Sequence, residues 1–155
     1  METYQPDLET ETPEEAAITG IKLIEVIETV IGSLDQNKSA MVSHSEGSSV
    51  WKFKYGSVET FVQLTGTSDD DAFSVWAHIL NLPVQNEPQL MRKLLEMNWL
   101  STFEAHFAIV DSKVAVVSSR TVAELSPGEI SRLITIVATI ADDNDDALQA
   151  EFGAA

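Results

Sequence analysis

The segment LLEMNWLSTFEAHFAIVDSKVAVV, residues 94–117, decides the fold class because its hydrophobic pattern changes half-way along it. At its start, and just before it, Leu90, Leu94 and Met97 recur three or four positions apart, which is the spacing of one helix face. Asn86 precedes this run and is a suitable cap. The first half therefore predicts a short helix.

The second half of the segment has the pattern of two strands. Apolar stretches at 103–110 and 114–122 flank Asp111, Ser112 and Lys113, a composition typical of a tight hairpin. A helix that leads directly into an antiparallel hairpin predicts an α+β domain.

Upstream, VWKFKYGSVETFV (residues 50–62) alternates aromatic residues with lysines and then turns at Gly56-Ser57. This alternation is typical of strands with one buried face. Another apolar run at 73–83 extends the pattern, and 39–43 is a possible additional strand. We expect an antiparallel meander of three or four strands here.

Two longer helices are predicted near the ends of the chain. The first has Thr12 as its cap and Pro13 in its first turn, and the last has Ser126 as its cap with Glu129 completing a capping box. Their apolar stripes are broader than one packed face requires, which predicts contact with a second surface, either elsewhere in the domain or on a second copy. For a homodimer or partner interface we select residues from both stripes: Leu23, Ile27, Val30, Leu34, Ile136 and Ile140.

Charge divides the chain into three parts. The formal net charge of −16 is concentrated at the two ends. We therefore predict an acidic tail at 1–12, a single domain at 13–142 and a second acidic tail at 143–155. Such a charge disfavours nucleic-acid binding, because that binding depends on Lys and Arg neutralising phosphates.

Several other classes of protein are disfavoured. The chain has no cysteine, no basic start followed by an apolar run and no apolar stretch long enough for a membrane span. We expect a cytoplasmic protein that has no membrane contact and binds no cofactor. The acidic run 142–147 is not a calcium loop, because Ala147 and Gly153 stand where Gly and Glu are needed. Trp51, Trp76 and Trp99 lie in apolar patterns and are assigned to core packing.

The candidates for chemistry are few. Glu104 and His106 are two positions apart, so on a strand they would share a face, and His78 lies in another predicted strand. A catalytic or metal site needs further groups at a suitable spacing, and the sequence supplies none. Enzyme function is therefore the weaker interpretation.

The stretches LMRKLLEMN, FAIVDSKVAVV and SPGEISRLITIVATIADDND resemble the YbjN-like proteins and, more distantly, type III secretion chaperones. The matching features are Leu94, Leu95, Asn98, the hairpin around 111–113 and the helix at 127–141, and VWKFKYGSVETFV resembles the aromatic strand pair of the YbjN-like group. The resemblance implies a type III secretion chaperone-like fold, an antiparallel twisted sheet with three helices, that forms a twofold homodimer. Chaperones of that kind wrap partner segments without ATP, whereas the YbjN-like group is described as sensory-transduction regulators.

Two functional hypotheses follow. The first is a non-enzymatic, homodimeric module that binds an unknown protein partner at a sheet edge or apolar groove. The alternative is a small-ligand protein or enzyme with a pocket near Glu104, His106 or His78.

Overall fold

Three helices and six strands make up the computed structural model, which describes residues 13–153. The predicted order of helix, strands, helix, hairpin and helix is confirmed, and the additional early strand is present. The predicted tail at 1–12 and its cap Thr12 lie outside the described residues. The elements are α1 (Pro13–Leu34), β1 (Met41–Ser45), β2 (Ser48–Tyr55), β3 (Val58–Leu64), β4 (Ala72–Asn81), α2 (Glu87–Leu100), β5 (His106–Val110), β6 (Lys113–Thr121) and α3 (Pro127–Phe152).

All six strands pair antiparallel in one sheet, in the order β1-β2-β3-β4-β6-β5. Both predicted hairpin turns occur. Gly56 has a φ of 56°, and Asp111 and Ser112 have φ values of 49° and 59°. Positive φ at the turn residues matches the right-handed twist of the flanking strands. Strands β1 and β5 are left as the two edges of the sheet.

The helices and the inward side chains of the sheet enclose the core. Trp51, Phe53 and Val62 on the strands are buried in one cluster with Ile27 and Ile134 on the helices. None of the described helices packs across the opposite side of the sheet, which the end of α3 borders at Gln149. We call this side the open sheet face, and its principal side chains are Lys52, Lys54, Glu59, Phe61, Trp76, His78, Lys113 and Val117.

Helix α1 does not need a second copy to cover its broad apolar stripe. Leu23 and Ile27 are buried within the same chain, where α1 packs beside α3, so the expectation that they lie at an interface is corrected. Val30 and Leu34 are half-buried and pack against the same core. The apolar stripe of α1 is broad because core residues contact this helix on more than one side.

Helix α3 continues through the region predicted as an acidic tail from 143 onward, and that prediction is wrong for residues 143–152. Leu148 and Phe152 are buried beyond the acidic run and extend the apolar face of the helix. Asp143 and Asp146 lie on its exposed side. The carboxylates are thus solvated along one face while the helix packs with the other. The predicted Ser126–Glu129 capping box is confirmed.

The acidic part of α3 also holds the turn between β2 and β3. The Ser57 hydroxyl donates to Asp145 Oδ2 at 2.6 Å, and the Ser57 backbone N–H donates to Asp142 Oδ1 at 3.1 Å. Asp142 lies so close to Gly56 that a side chain there would collide with it. This contact fixes the far end of α3 to the sheet.

Candidate functional site

Glu104 forms an ion pair with α3. Its carboxylate accepts from Arg132 Nε at 2.8 Å and from Nη2 at 3.2 Å. The hydrogen bond from Arg132 is the largest cause that lowers the pKa of Glu104, and it raises the pKa of Arg132. Both side chains are largely exposed, so this pair is a surface connection between α3 and the loop before β5.

The structure does not bring Glu104 and His106 into a common pocket. Strand β5 begins at His106, so Glu104 precedes the strand and the expected alternation does not extend to it. Glu104 lines a surface cavity of about 260 Å³ together with Ser118, Arg120 and Arg132, and His106 does not line that cavity.

His78 lies in a different place, on the open sheet face. It lines a surface cavity of about 420 Å³ with Glu59, Asn81 and Lys113. Burial lowers the pKa of His78, and the nearby Lys113 lowers it further. Among residues 13–153, no three His, Asp or Glu side chains are grouped so that they could hold a metal ion.

The most unusual surface is apolar and lies on α2. Four side chains at the end of this helix and just after it are exposed: Leu95 (68%), Trp99 (88%), Leu100 (77%) and Phe103 (80%). We call these four residues the α2 surface. Large apolar side chains exposed together are typical of protein interaction sites. The prediction that Trp99 belongs to the core is wrong, whereas Trp51 is buried and Trp76 is half-buried.

Helical geometry explains why the α2 surface points outward. Leu90 and Leu94, one helical turn apart, are buried against the domain, so Leu95 and Trp99 fall on the opposite side. Sequence spacing alone shows that both sides carry apolar residues. It does not show which side the domain covers.

Hydrogen bonds hold α2 in this orientation. The Asn98 side chain accepts from the Phe107 N–H at 2.7 Å and donates to the Phe107 carbonyl at 3.4 Å. On the side facing α3, Lys93 Nζ lies 2.6 Å from Glu151 Oε2 and 5.9 Å from the centre of the Phe152 ring. The apolar residues are therefore presented on a fixed helix.

A groove adjoins the α2 surface. Phe103, Ile136 and Ile140 line a cavity of about 470 Å³ together with Thr135 and Thr139. Ile136 and Ile140, which belong to the interface predicted from the sequence, are half-buried along this groove. Farther along the sheet edge, Ile109 on β5 is also exposed.

Comparison with family models assigns the chain to a family. The YbjN model, whose description reads "Putative bacterial sensory transduction regulator", matches residues 23–150. The chain belongs to the YbjN family. The resemblance to this family seen in the sequence is confirmed. No curated protein sequence gives a match to this YbjN chain.

A solved structure shares the fold. The YbjN chain resembles the crystal structure of the ExsC–ExsE complex with a TM-score of 0.60 and 16% sequence identity. The likeness covers 83% of this chain and 95% of the matched chain. At this identity the likeness concerns the fold alone, and it confirms the α+β, secretion chaperone-like architecture predicted from the sequence. Within the described residues, no helix is both long and apolar enough to cross a membrane.

Proposed function

We propose that this YbjN-family chain is a cytoplasmic, non-enzymatic protein-interaction module that acts as a homodimer and binds protein segments without ATP. The observation that carries the proposal is the α2 surface, an exposed apolar area on a rigidly held helix. The solved complex with the same fold contains two named proteins, ExsC and ExsE, which also supports a protein partner.

The α2 surface is large enough to matter. An aromatic side chain can bury about 150–250 Å². Trp99 and Phe103, at 88% and 80% exposure, together offer about 300–400 Å². Leu95 and Leu100 enlarge this area, while each partner in an interface of standard size buries about 800 Å². The surface could therefore supply the apolar centre of a dimer contact.

The charges beside the α2 surface suit contact between two identical chains. Arg92 and Glu96 lie on the same outward side of α2, with Arg92 Nε 3.2 Å from Glu96 Oε1, and both are well exposed. In a twofold contact each surface meets a copy of itself. Arg92 of one chain can then face Glu96 of the other, so both charges remain paired. We accordingly move the proposed interface from α1 to α2, with Ile136 and Ile140 at its border.

Sedimentation velocity over about 1–100 µM protein, a range that brackets moderate affinity, tests the dimer. We expect the wild-type chain to sediment as a dimer and Trp99→Glu to sediment as a monomer with an unchanged circular dichroism spectrum. Met41→Glu is the matched control, because Met41 is 70% exposed on the opposite edge of the sheet. This control should remain dimeric. A wild-type monomer throughout, or equal loss of the dimer in both variants, contradicts the proposed interface.

Capture from cell extract tests the partner. Tagged wild-type protein should retain the same protein repeatedly in ATP-depleted extract, and the Trp99→Glu variant shows whether this retention depends on the α2 surface. Recovery of a small molecule without any protein would contradict the proposal and favour the alternative of a small-ligand protein.

A further inference from the structure

The open sheet face differs in charge from the rest of the chain. It carries Lys52, Lys54 and Lys113, and the acidic side chains close to it are Glu59 and, in the turn at its edge, Asp111. Glu59 is already paired, with its Oε1 3.2 Å from Lys52 Nζ. On a protein with a formal net charge of −16, this face is locally basic. An anionic partner that the rest of the surface repels would be attracted here.

Aromatic rings lie between the lysines. The rings of Phe61 and Trp76 stack with centroids 5.3 Å apart and planes inclined by 7°. His78 lies 5.0 Å from Phe61, and Lys52 Nζ lies 6.0 Å from the centre of the Phe61 ring. Phe61, Trp76 and His78 are only half-buried, so parts of all three rings remain accessible on the open sheet face. None of the described helices covers it.

The spacing of the free lysines indicates the size of a ligand. Lys54 is on β2 and Lys113 is on β6, with β3 and β4 between them. Three interstrand steps and a shift of two residues along the strands place their Cα atoms roughly 15 Å apart. An extended peptide advances about 3.3 Å per residue. Side chains alternate between the two sides of an extended chain, so carboxylates four or six residues apart, about 13 or 20 Å, could reach both lysines from one side of the peptide while apolar side chains between them lie over the aromatic stack.

We propose that the open sheet face binds an acidic, extended segment of a partner protein, with carboxylates on Lys54 and Lys113 and an aromatic or apolar centre on Phe61 and Trp76. This inference rests on the proposed function, since it specifies the chemistry of the protein segment that the module binds. It assigns the partner and the dimer contact to different surfaces, the open sheet face and the α2 surface.

A fluorescein-labelled octapeptide, EETFYTEE, is a suitable probe because each side of its extended chain carries two acidic residues six positions apart with an aromatic residue between them. Fluorescence anisotropy should show saturable binding to the full-length chain, and the matched peptide QQTFYTQQ should bind at least about tenfold more weakly, since it lacks the charges that pair with the lysines. Binding of EETFYTEE should also weaken when salt is raised, because exposed ion pairs are screened.

Protein variants locate the site. Lys54→Gln with Lys113→Gln should weaken binding about tenfold through the loss of two charge contacts. Lys22→Gln with Lys93→Gln is the matched control, because it changes the net charge equally at positions on α1 and α2. The control should bind as the wild type does. Equal weakening in both pairs, or no binding of the probe by the wild type, overturns the proposal.

Two other occupants of the face are distinguishable. If adding the probe halves the molar mass of the protein measured by light scattering, the probe has displaced a second copy of the chain from the open sheet face. That result contradicts the proposal. If changing the four acidic residues of segment 1–12 to amides strengthens probe binding, the chain's own N-terminal segment competes for the face, which also overturns it.

The same measurements separate this inference from the dimer. Trp99→Glu should lose the dimer and still bind the probe. If the wild type is monomeric and binds the probe, only the proposed dimer is contradicted. If the wild type is dimeric and does not bind the probe, only the proposed binding of an acidic segment is contradicted.

Discussion

Replacing Phe152 by Ala tests whether the end of α3 is part of the folded domain. Phe152 is only 3% exposed although it follows an acidic run and lies near the end of the chain. A buried aromatic side chain removes about 150–250 Å² from water, worth about 4–6 kcal/mol at 25 cal/mol per Å². A compact unfolded chain reduces this by about 10–40%, and loss of the contact with Lys93 adds about 0.5 kcal/mol.

Because the Ala side chain keeps part of this buried area, we expect Phe152→Ala to lower the free energy of unfolding by about 3–5 kcal/mol, the usual range for such substitutions. Urea denaturation followed by circular dichroism measures this. With a slope of about 2 kcal/mol per molar urea, the midpoint should fall by about 1.5–2.5 M. Removal of residues 143–155 should be more damaging, because it also deletes Leu148 and the carboxylate of Asp145.

The control is Asp146→Ala, an exposed residue of the same acidic run. It should change stability by no more than about 0.5 kcal/mol. If Phe152→Ala and Asp146→Ala shift the urea midpoint equally little, residues 143–152 are a dispensable tail and the assignment of α3 to the core is refuted.

Two further predictions concern the connections between elements. Asn98→Ala should lower the free energy of unfolding, measured by urea denaturation, by about 1–3 kcal/mol, because the buried Phe107 N–H loses its hydrogen-bond partner. A decrease below about 0.5 kcal/mol would show that other contacts hold α2 in place. Asp35 is predicted to stabilise the fold in a pH-dependent way: burial raises its pKa, but hydrogen bonds from the Ser39 side chain and from the Ser39 and Ala40 backbone outweigh burial and lower it. Because the folded pKa is the lower one, this stabilisation is complete above the unfolded pKa and is lost as pH falls through the folded value. The difference in urea midpoint between wild type and Asp35→Asn should accordingly be smaller at pH 3 than at pH 6. These two conditions lie on either side of an ordinary Asp pKa of about 3.9. A difference that stays the same would contradict the role assigned to the carboxylate.

Local patterns in the sequence predicted most of the fold. The turn at Gly56-Ser57, the turn at Asp111-Ser112 and the capping box at Ser126 depend on residues that are close in sequence, so their chemistry can be read directly. The alternation of Trp51 and Phe53 with lysines likewise assigns the two faces of β2.

The end of α3 shows how one signal can hide another. Leu148 and Phe152 continue the helical spacing of the buried residues, but the acidic run between Asp142 and Asp146 led to the prediction of a tail. Asp142 and Asp145 accept hydrogen bonds from Ser57, which is more than eighty positions away in sequence. Composition does not reveal a partner at that distance.

The α2 surface could not be located from the sequence for a different reason. Trp99 has the same helical apolar pattern as a core residue, and only the position of α2 relative to β5 decides which side is covered. Leu23 and Ile27 on α1 show the converse, since they are enclosed by neighbours that lie far away in sequence and are therefore not available for the predicted interface.

Because α3 is attached at both ends, this domain would lose little conformational entropy when it binds a partner. Helix α3 is about 39 Å long at 1.5 Å per residue. Arg120 pairs with Glu129 near its start, and Ser57 meets Asp145 near its end. Both proposed binding surfaces belong to this rigid structure and are therefore preorganised, so little conformational entropy of this chain is lost when a partner binds. The ordering cost would then fall on the incoming segment, so affinity could be adjusted by stiffening the partner while this domain stays unchanged.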